Sequence, residues 1–242
     1  MRLVVGRTVS ERDAPPWAGD EQTWTRAWNV RGGAGAVREV RGPRPVLDVG
    51  QTIEALLFCE DRWVIGVEGS LLVWDGEVLR TVGTYGTGEW ALTGFGGVPI
   101  ATNGSDPPQY QEGYGSFREL PEWPAGLRAK RLVPFRNYLV AMGLSGSGTA
   151  WPHTVRWSHP AAPGEVPITW DVGDPTKDAG EVSLTDEESG EIVDGLALGD
   201  SLMIYKRGAV WRMRFIGPPF IFEFQKVFGG LGALGPGCVA PI

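Results

Sequence analysis

The chain has 242 residues, 42% of them hydrophobic and 21% charged, enough for a large core in one sizeable domain or two small ones. A formal charge of −7 argues against a general nucleic-acid binder, and no run approaches the roughly 18–20 apolar residues of a membrane helix. High glycine, proline and tryptophan (36, 19 and 11), without long Ala/Leu/Glu/Lys stretches, point to many short strands joined by turns.

In chain order, residues 1–23 read as an extended arm containing Asp13-Ala-Pro-Pro-Trp17. Its opening apolar run is too short for a signal peptide, so the expectation is a protein made and assembled in a reducing cytoplasm. Residues 24–242 read as one β domain. Trp24–Val30 alternates as a strand, Gly32–Gly35 turns, and Ala36–Val40 returns. No buried strand feeds a helix there, so the glycines are not a dinucleotide loop.

Four short runs follow: Thr52–Cys59, Arg62–Val67, Leu71–Trp74 and Val78–Val82. Asp75-Gly76 between apolar runs is a hairpin signal, and four strands in about 35 residues match one blade of a β-propeller. A second unit runs from Glu89 through Trp90–Gly94, Val98–Thr102, a turn at Asn103-Gly104, and Tyr110–Glu119. A third spans Arg131–Trp157 and continues into an acidic, Pro-rich insertion at about 158–191. The fourth is Ile192–Phe228.

Phe58-Cys-Glu-Asp-Arg-Trp-Val-Ile65, Gly94-Phe-Gly-Gly-Val-Pro-Ile-Ala101, Phe135-Arg-Asn-Tyr-Leu-Val-Ala141 and Leu198-Gly-Asp-Ser-Leu-Met-Ile-Tyr205 align. Each places a small or polar turn before an apolar run, as an inner blade strand requires, at spacings of about 36, 40 and 62 residues. The expected fold is all-β, a propeller-like array of antiparallel meander blades, either incomplete or closed by terminal strands. A β-sandwich is the alternative. Gly229–Gly237 reads as a flexible loop and Cys238–Ile242 as the opening strand of a further blade or a closing strand.

Charge is unevenly spread. From Asp171 to Asp194 nine acids stand against Lys177, a net of −8, so the remainder is close to +1. Arg26, Arg31, Arg38, Arg41 and Arg44 face only Glu39 across their segment. Cys59 and Cys238 read as two buried thiols, with one bridge as the alternative.

Motifs for chemistry are sparse. His153 and His159 have no cysteine or second histidine at ligand spacing, so no zinc pattern exists. Gly143–Thr149 lacks the lysine of a phosphate loop and reads as a flexible hairpin loop. Asp171, Asp174, Asp178 and Glu181 are numerous enough for glycoside hydrolysis, but they lie in a Pro/Gly loop that fixes no separation. Asp171 and Asp174 lack the spacing of a calcium loop. Trp63, Trp74, Trp157 and Trp211 read as core, and Asn103-Gly-Ser105 as a turn. No catalytic residue, cofactor or metal is expected.

Several phrases carry a resemblance. Val155-Arg-Trp-Ser-His-Pro-Ala-Ala-Pro-Gly-Glu-Val-Pro-Ile-Thr-Trp-Asp171, Asp174-Pro-Thr-Lys-Asp-Ala-Gly-Glu181 and Asp194–Lys206 resemble β-propeller tail proteins of bacteriophages and prophages, of nozzle or tail-tube type. Ala101–Gln109 and Phe135–Ala141 look like preceding blades of that family. The resemblance covers roughly residues 95–242, with a loose Trp-x-x-x-x-Asn-Val match before it. It implies a non-enzymatic virion component, a homo-oligomeric ring contacting other tail or neck proteins, through which DNA passes without specific binding. An acidic lumen repels phosphate. The 171–194 segment is then expected to project into the channel or onto a neighbour. Candidate lumen or subunit-contact residues are Asp171, Asp174, Asp178, Glu181, Asp186, Glu187 and Glu188, paired with the arginines at 26, 31, 38, 41 and 44. A carbohydrate-binding or host-recognition propeller and a cellular interaction scaffold are the alternatives, the latter lacking Gly-His and Trp-Asp repeat signatures.

Overall fold

The computed structural model describes residues 30–33, 36–39, 45–184, 186 and 189–240. They fall into two compact units, Met1–Val49 and Gly50–Ile242. In the first, β1 (Val30–Gly33) and β2 (Ala36–Glu39) form an antiparallel hairpin with Arg31 opposite Arg38. Gly32 and Gly33, expected in the turn, are strand residues; the strand expected over 24–29 lies outside the described residues.

The second unit holds four four-stranded antiparallel sheets, each a meander in chain order. Blade 1 is β3 (Ile53–Cys59), β4 (Arg62–Val67), β5 (Ser70–Trp74) and β6 (Leu79–Thr84). Blade 2 is β7 (Ala91–Phe95), β8 (Val98–Thr102), β9 (Gln109–Tyr110) and β10 (Arg118–Glu119). Blade 3 is β11 (Leu127–Phe135), β12 (Tyr138–Gly146), β13 (Thr149–Trp157) and β14 (Gly180–Ser183). Blade 4 is β15 (Ile192–Leu198), β16 (Ser201–Lys206), β17 (Ala209–Phe215) and β18 (Phe222–Gly229). The first strands lie side by side, β3 against β7, β7 against β11 and β11 against β15. This is a propeller-like array; a sandwich would stack two sheets face to face instead.

The aligned turns are equivalent in space. Glu60, Gly96, Arg136 and Gly199 each open the turn between a blade's first two strands, and each has a left-handed φ, between 54° and 61°. The apolar run after each turn is the second strand of its blade, not the innermost one. The reason is burial: β12 is buried along most of its length and β4 nearly so, because each has strands on both sides. The innermost strands border the axis and stay partly open, as in β3. Blades 1 and 4 also share a register shift near the start of their first pair, at Ile53/Ala55 and Ile192/Asp194.

Three apolar cores fill the seams. Val64, Leu71 and Val73 of blade 1 meet Trp90, Ala101 and Phe117 of blade 2. Ile100 and Tyr110 meet Leu132, Leu139 and Ala141 of blade 3. Val140, Met142 and Val155 meet Leu202, Ile204 and Met213 of blade 4. Phe222 organises this third seam, its ring 4.9–5.9 Å from those of Phe135, Tyr138, Trp157 and Phe215. Such aromatic pairs each add roughly 0.5–1.5 kcal/mol beyond area burial.

Several expectations need correction. Gly143–Gly146 belong to β12, and only Ser147 and Gly148 turn, both at positive φ. Gly143, also at positive φ, marks a register shift between Met142 and Leu144, as a bulge requires. The glycine-rich 229–237 run is tied down: Gly230 N–H donates to Gly208 O, and Ala233 N–H to Lys206 O. Residues 238–240 form no strand. Cys59 is buried and its thiol is pushed up, first by desolvation, whereas Cys238 is exposed; both are free. Trp157 is buried, but Trp63, Trp74 and Trp211 are only partly so. No helix of the described residues is long and apolar enough to cross a membrane.

Candidate functional site

The four innermost strands line one cavity of about 560 Å³. Its walls are Glu54–Leu56, Glu89–Thr93, Arg131–Pro134 and Asp194–Ala197, with Pro236 and Gly237 across one part. The glycine-rich run reaches this position because Gly237 N–H donates to Asp194 Oδ2 at 2.9 Å. Glu54 is held at the wall by the Trp90 N–H, 3.3 Å away.

Beside it lies a polar cavity of about 350 Å³. Glu89, Lys130, Arg131, Glu191 and Arg207 supply its charge, and Asn103–Ser105 its backbone edge. The cations are paired: Arg131 with Glu89 at 3.4 Å, Lys130 with Glu191 at 3.5 Å, and Arg207 with Glu191 at 2.9 Å. These pairs link blades 2, 3 and 4 around the axis. Asn103 is buried, its Oδ1 accepting the N–H groups of Ser105 and Asp106, so the tripeptide is a turn, as expected.

Glu191 accepts from Arg207 Nε and Nη2 and lies beside Lys130, which together hold its carboxyl below the ordinary 4.5. A depressed acid contributes stability that is complete above its unfolded value and lost as pH falls through its folded value. Glu191→Gln is therefore expected to lower stability slightly on the neutral plateau and to converge with the wild type as pH falls below about 4.5, a small difference because the pairs are partly exposed. Urea midpoints measured between pH 3 and 7 check this.

The expected acidic residues are dispersed over separate partners. Asp171 Oδ1 accepts Gly173 N–H, and Asp174 Oδ1 accepts both the N–H and hydroxyl of Thr176; the second cluster keeps the Asp174 carboxyl low. Asp178 accepts the Tyr138 hydroxyl at 2.7 Å, and its own N–H donates to His159 Nδ1. Burial first and Asp178 second push the Tyr138 phenol far up. Glu181 pairs with Arg156 at 3.0 Å across β13 and β14. Asp186 pairs with Lys226 at 2.5 Å, which together with Ser189 lowers its carboxyl. Among the described residues no group of three His, Cys, Asp or Glu could hold a metal. Arg26, Arg41, Arg44, Glu187 and Glu188 lie outside the described residues.

The insertion is anchored from below. Val166, Trp170, Ala179 and Leu184 are buried, and Trp170 joins the core between blades 2 and 3. Arg156 Nη2 donates to the Trp170 carbonyl at 2.6 Å. Residues 162–165, Ile168, 171–173 and 175–176 of the insertion stand at the surface. The insertion also contains β14, which completes blade 3.

Two buried cations escaped sequence reasoning. Arg62, 1% exposed, donates to Gln111 Oε1 at 3.1 Å and to Gly113 O at 2.6 Å, and it stacks on Tyr114. Lys206, also buried, donates to the carbonyls of Leu184 and Asp186. Both follow polar or apolar runs at strand ends, and nothing in their spacing marks them.

The fold thus defines a β-propeller-like protein. Its structure is similar, at TM-score 0.49 and 12% identity, to an S. cerevisiae assembly of a Dbp5 variant bound to Nup159, a Gle1 variant, IP6 and ADP, over 87% of this chain and 52% of that one. With the N-terminal domain of Nup159 the TM-score is 0.47 at 12% identity, over 72% of this chain and 47% of that one. The protein spans about half the length of these matched chains. No family model and no curated protein matches the sequence.

Proposed function

We propose that this protein is a structural, non-enzymatic component of a bacteriophage tail, in the nozzle or the neck and tail-tube ring, located in the virion and bordering the path of DNA. The observation that carries the reading is the apolar surface left on both end blades, including Leu56, Phe58, Leu198 and Phe228, each more than half exposed. Surface of that kind suits a part that works by assembling with other proteins. The resemblance of Val155–Asp171, Asp174–Glu181 and Asp194–Lys206 to tail proteins supports this kind of assembly. Charge agrees: a chain at −7 borders DNA without holding it, whereas a basic wall would bind phosphate.

Peptide mass spectrometry and particle imaging of virions purified from the encoding host test this. The protein is expected in the tail at stoichiometry above one per particle. Its absence from purified particles, while it is abundant in the lysate, would refute the reading. A glycan array serves the host-recognition alternative, for which specific retention is the required outcome.

A further inference from the structure

The polar cavity of about 350 Å³ holds more positive charge than its ion pairs answer. Lys130, Arg131 and Arg207 stand there against Glu89 and Glu191, and Glu191 serves two of the cations at once, so one positive charge is in excess. Arg207 is fully engaged: Nε and Nη2 donate to Glu191 Oε1 at 3.1 and 2.9 Å, and Nη1 to the Leu234 carbonyl at 3.0 Å. The other two cations are not. Lys130 Nζ comes no nearer to Glu191 Oε2 than 3.5 Å, and Arg131 Nη2 no nearer to Glu89 Oε1 than 3.4 Å. Charge-assisted hydrogen bonds measure about 2.7–2.9 Å, so both contacts leave donor capacity open. An ammonium carries three donors, and Lys130 spends one of them weakly.

Lys130 is also held in place. A Cβ added at Gly104 would lie 3.3 Å from its Cγ, and one added at Gly143 would lie 3.0 Å from its Cβ. Gly104 belongs to the turn after β8 in blade 2, and Gly143 is the bulged residue of β12 that stands opposite Lys130 in β11. Two backbones thus approach the stem at positions where a side chain would crowd it. The ammonium itself stays accessible, the side chain being 63% exposed. Arg131 is the reverse: it is 12% exposed, and its Nη1 is tied to the Lys130 carbonyl at 2.9 Å. An accessible cation and a nearly buried one therefore border the same space, each already positioned, which lowers the ordering cost of binding.

We propose that this cavity is a binding site for one small oxyanion, a carboxylate or a phosphate, held by Lys130 Nζ and the Arg131 guanidinium. An oxyanion supplies the negative charge that the cluster lacks, and its lone pairs accept from donors whose present contacts are long. A volume of about 350 Å³ is at the small end of ligand pockets and suits a molecule of a few heavy atoms. Glu191 competes with the ligand for Lys130, so it limits the affinity. The site does not depend on the virion reading. One pocket in a chain at −7 is not the basic wall that would hold DNA.

Isothermal titration of the full chain with inorganic phosphate and, separately, with acetate, at fixed ionic strength and neutral pH, tests this. One saturable site per chain is expected for at least one of the two anions, and the anion that binds identifies the ligand class. Lys130→Gln is expected to weaken binding about tenfold, the loss of one charge-assisted hydrogen bond. Its circular dichroism spectrum is expected to match the wild type, because the side chain is exposed. Glu191→Gln is expected to bind more tightly than the wild type, since it releases Lys130. Lys177→Gln, which removes a cation outside the cavity lining, is expected to bind as the wild type does. No saturable binding of either anion up to tens of millimolar overturns the proposal. Binding that Lys130→Gln leaves unchanged, or that Lys177→Gln weakens equally, overturns it too, since the anion then lies elsewhere or answers only to overall charge.

Discussion

Trp170→Ala is expected to lower the free energy of unfolding by about 3–5 kcal/mol, the range for deleting a buried tryptophan. Trp170 is fully buried, its ring packs edge-on at 4.7 Å against Trp123, and the two belong to the core between blades 2 and 3. The substitution removes that ring contact and opens a cavity between two sheets that cannot collapse without parting. A urea titration reports it as a lower midpoint at unchanged slope. Ile168→Ala, in the same insertion but 62% exposed, serves as the control and is expected to shift the midpoint within the scatter of surface substitutions, roughly 0.5 kcal/mol. Equal midpoints for the two variants would show that the insertion is not pinned by its tryptophan.

Arg62→Ala is expected to cost about 2–4 kcal/mol. The guanidinium ties the first turn of blade 1 to the 111–115 loop of blade 2, through Gln111 and Gly113. Its removal strands the buried Gln111 Oε1, worth roughly 1–3 kcal/mol when left unpaired, frees the carbonyl of the exposed Gly113, and takes away the cation stacked 4.7 Å from the Tyr114 ring centre. Glu60 and Asp61 also approach Arg62, at 3.5 and 3.3 Å, but both are about 60% exposed. Glu60→Gln and Asp61→Asn are therefore expected to shift the urea midpoint far less than Arg62→Ala does. Arg62→Lys recovers only part of the loss, because an ammonium cannot reach both acceptors in a fixed fork. A double-mutant cycle between Arg62→Ala and Gln111→Ala isolates the pair, and additive effects would show that the contact contributes nothing.

These two side chains mark the boundary of what sequence patterns convey. Blade 1 is legible because local rules agree there: alternating runs, a two-residue turn at Glu60-Asp61, and Asp75-Gly76, where Asp75 Oδ1 accepts the N–H groups of Glu77 and Val78. Strand β14 is not legible. Gly-Glu-Val-Ser has no strand signature of its own, and it pairs with Thr154–Trp157 only because Trp157 Nε1 donates to Asp178 O and Trp170 pulls the insertion back. The acids of 171–194 look alike as a charge run. In space they divide among a tyrosine, an arginine, a lysine and their own turns, since each finds the nearest donor.

Composition and repeated turns were enough to determine an all-β chain of four successive meanders, because hairpin geometry is set by residues adjacent in sequence. The tertiary structure alone decided which runs lie innermost, how the cations pair around the axis, and that Trp170 anchors the insertion. Each of these depends on contacts between blades, where the side chains that meet are tens of residues apart and no local pattern encodes the meeting.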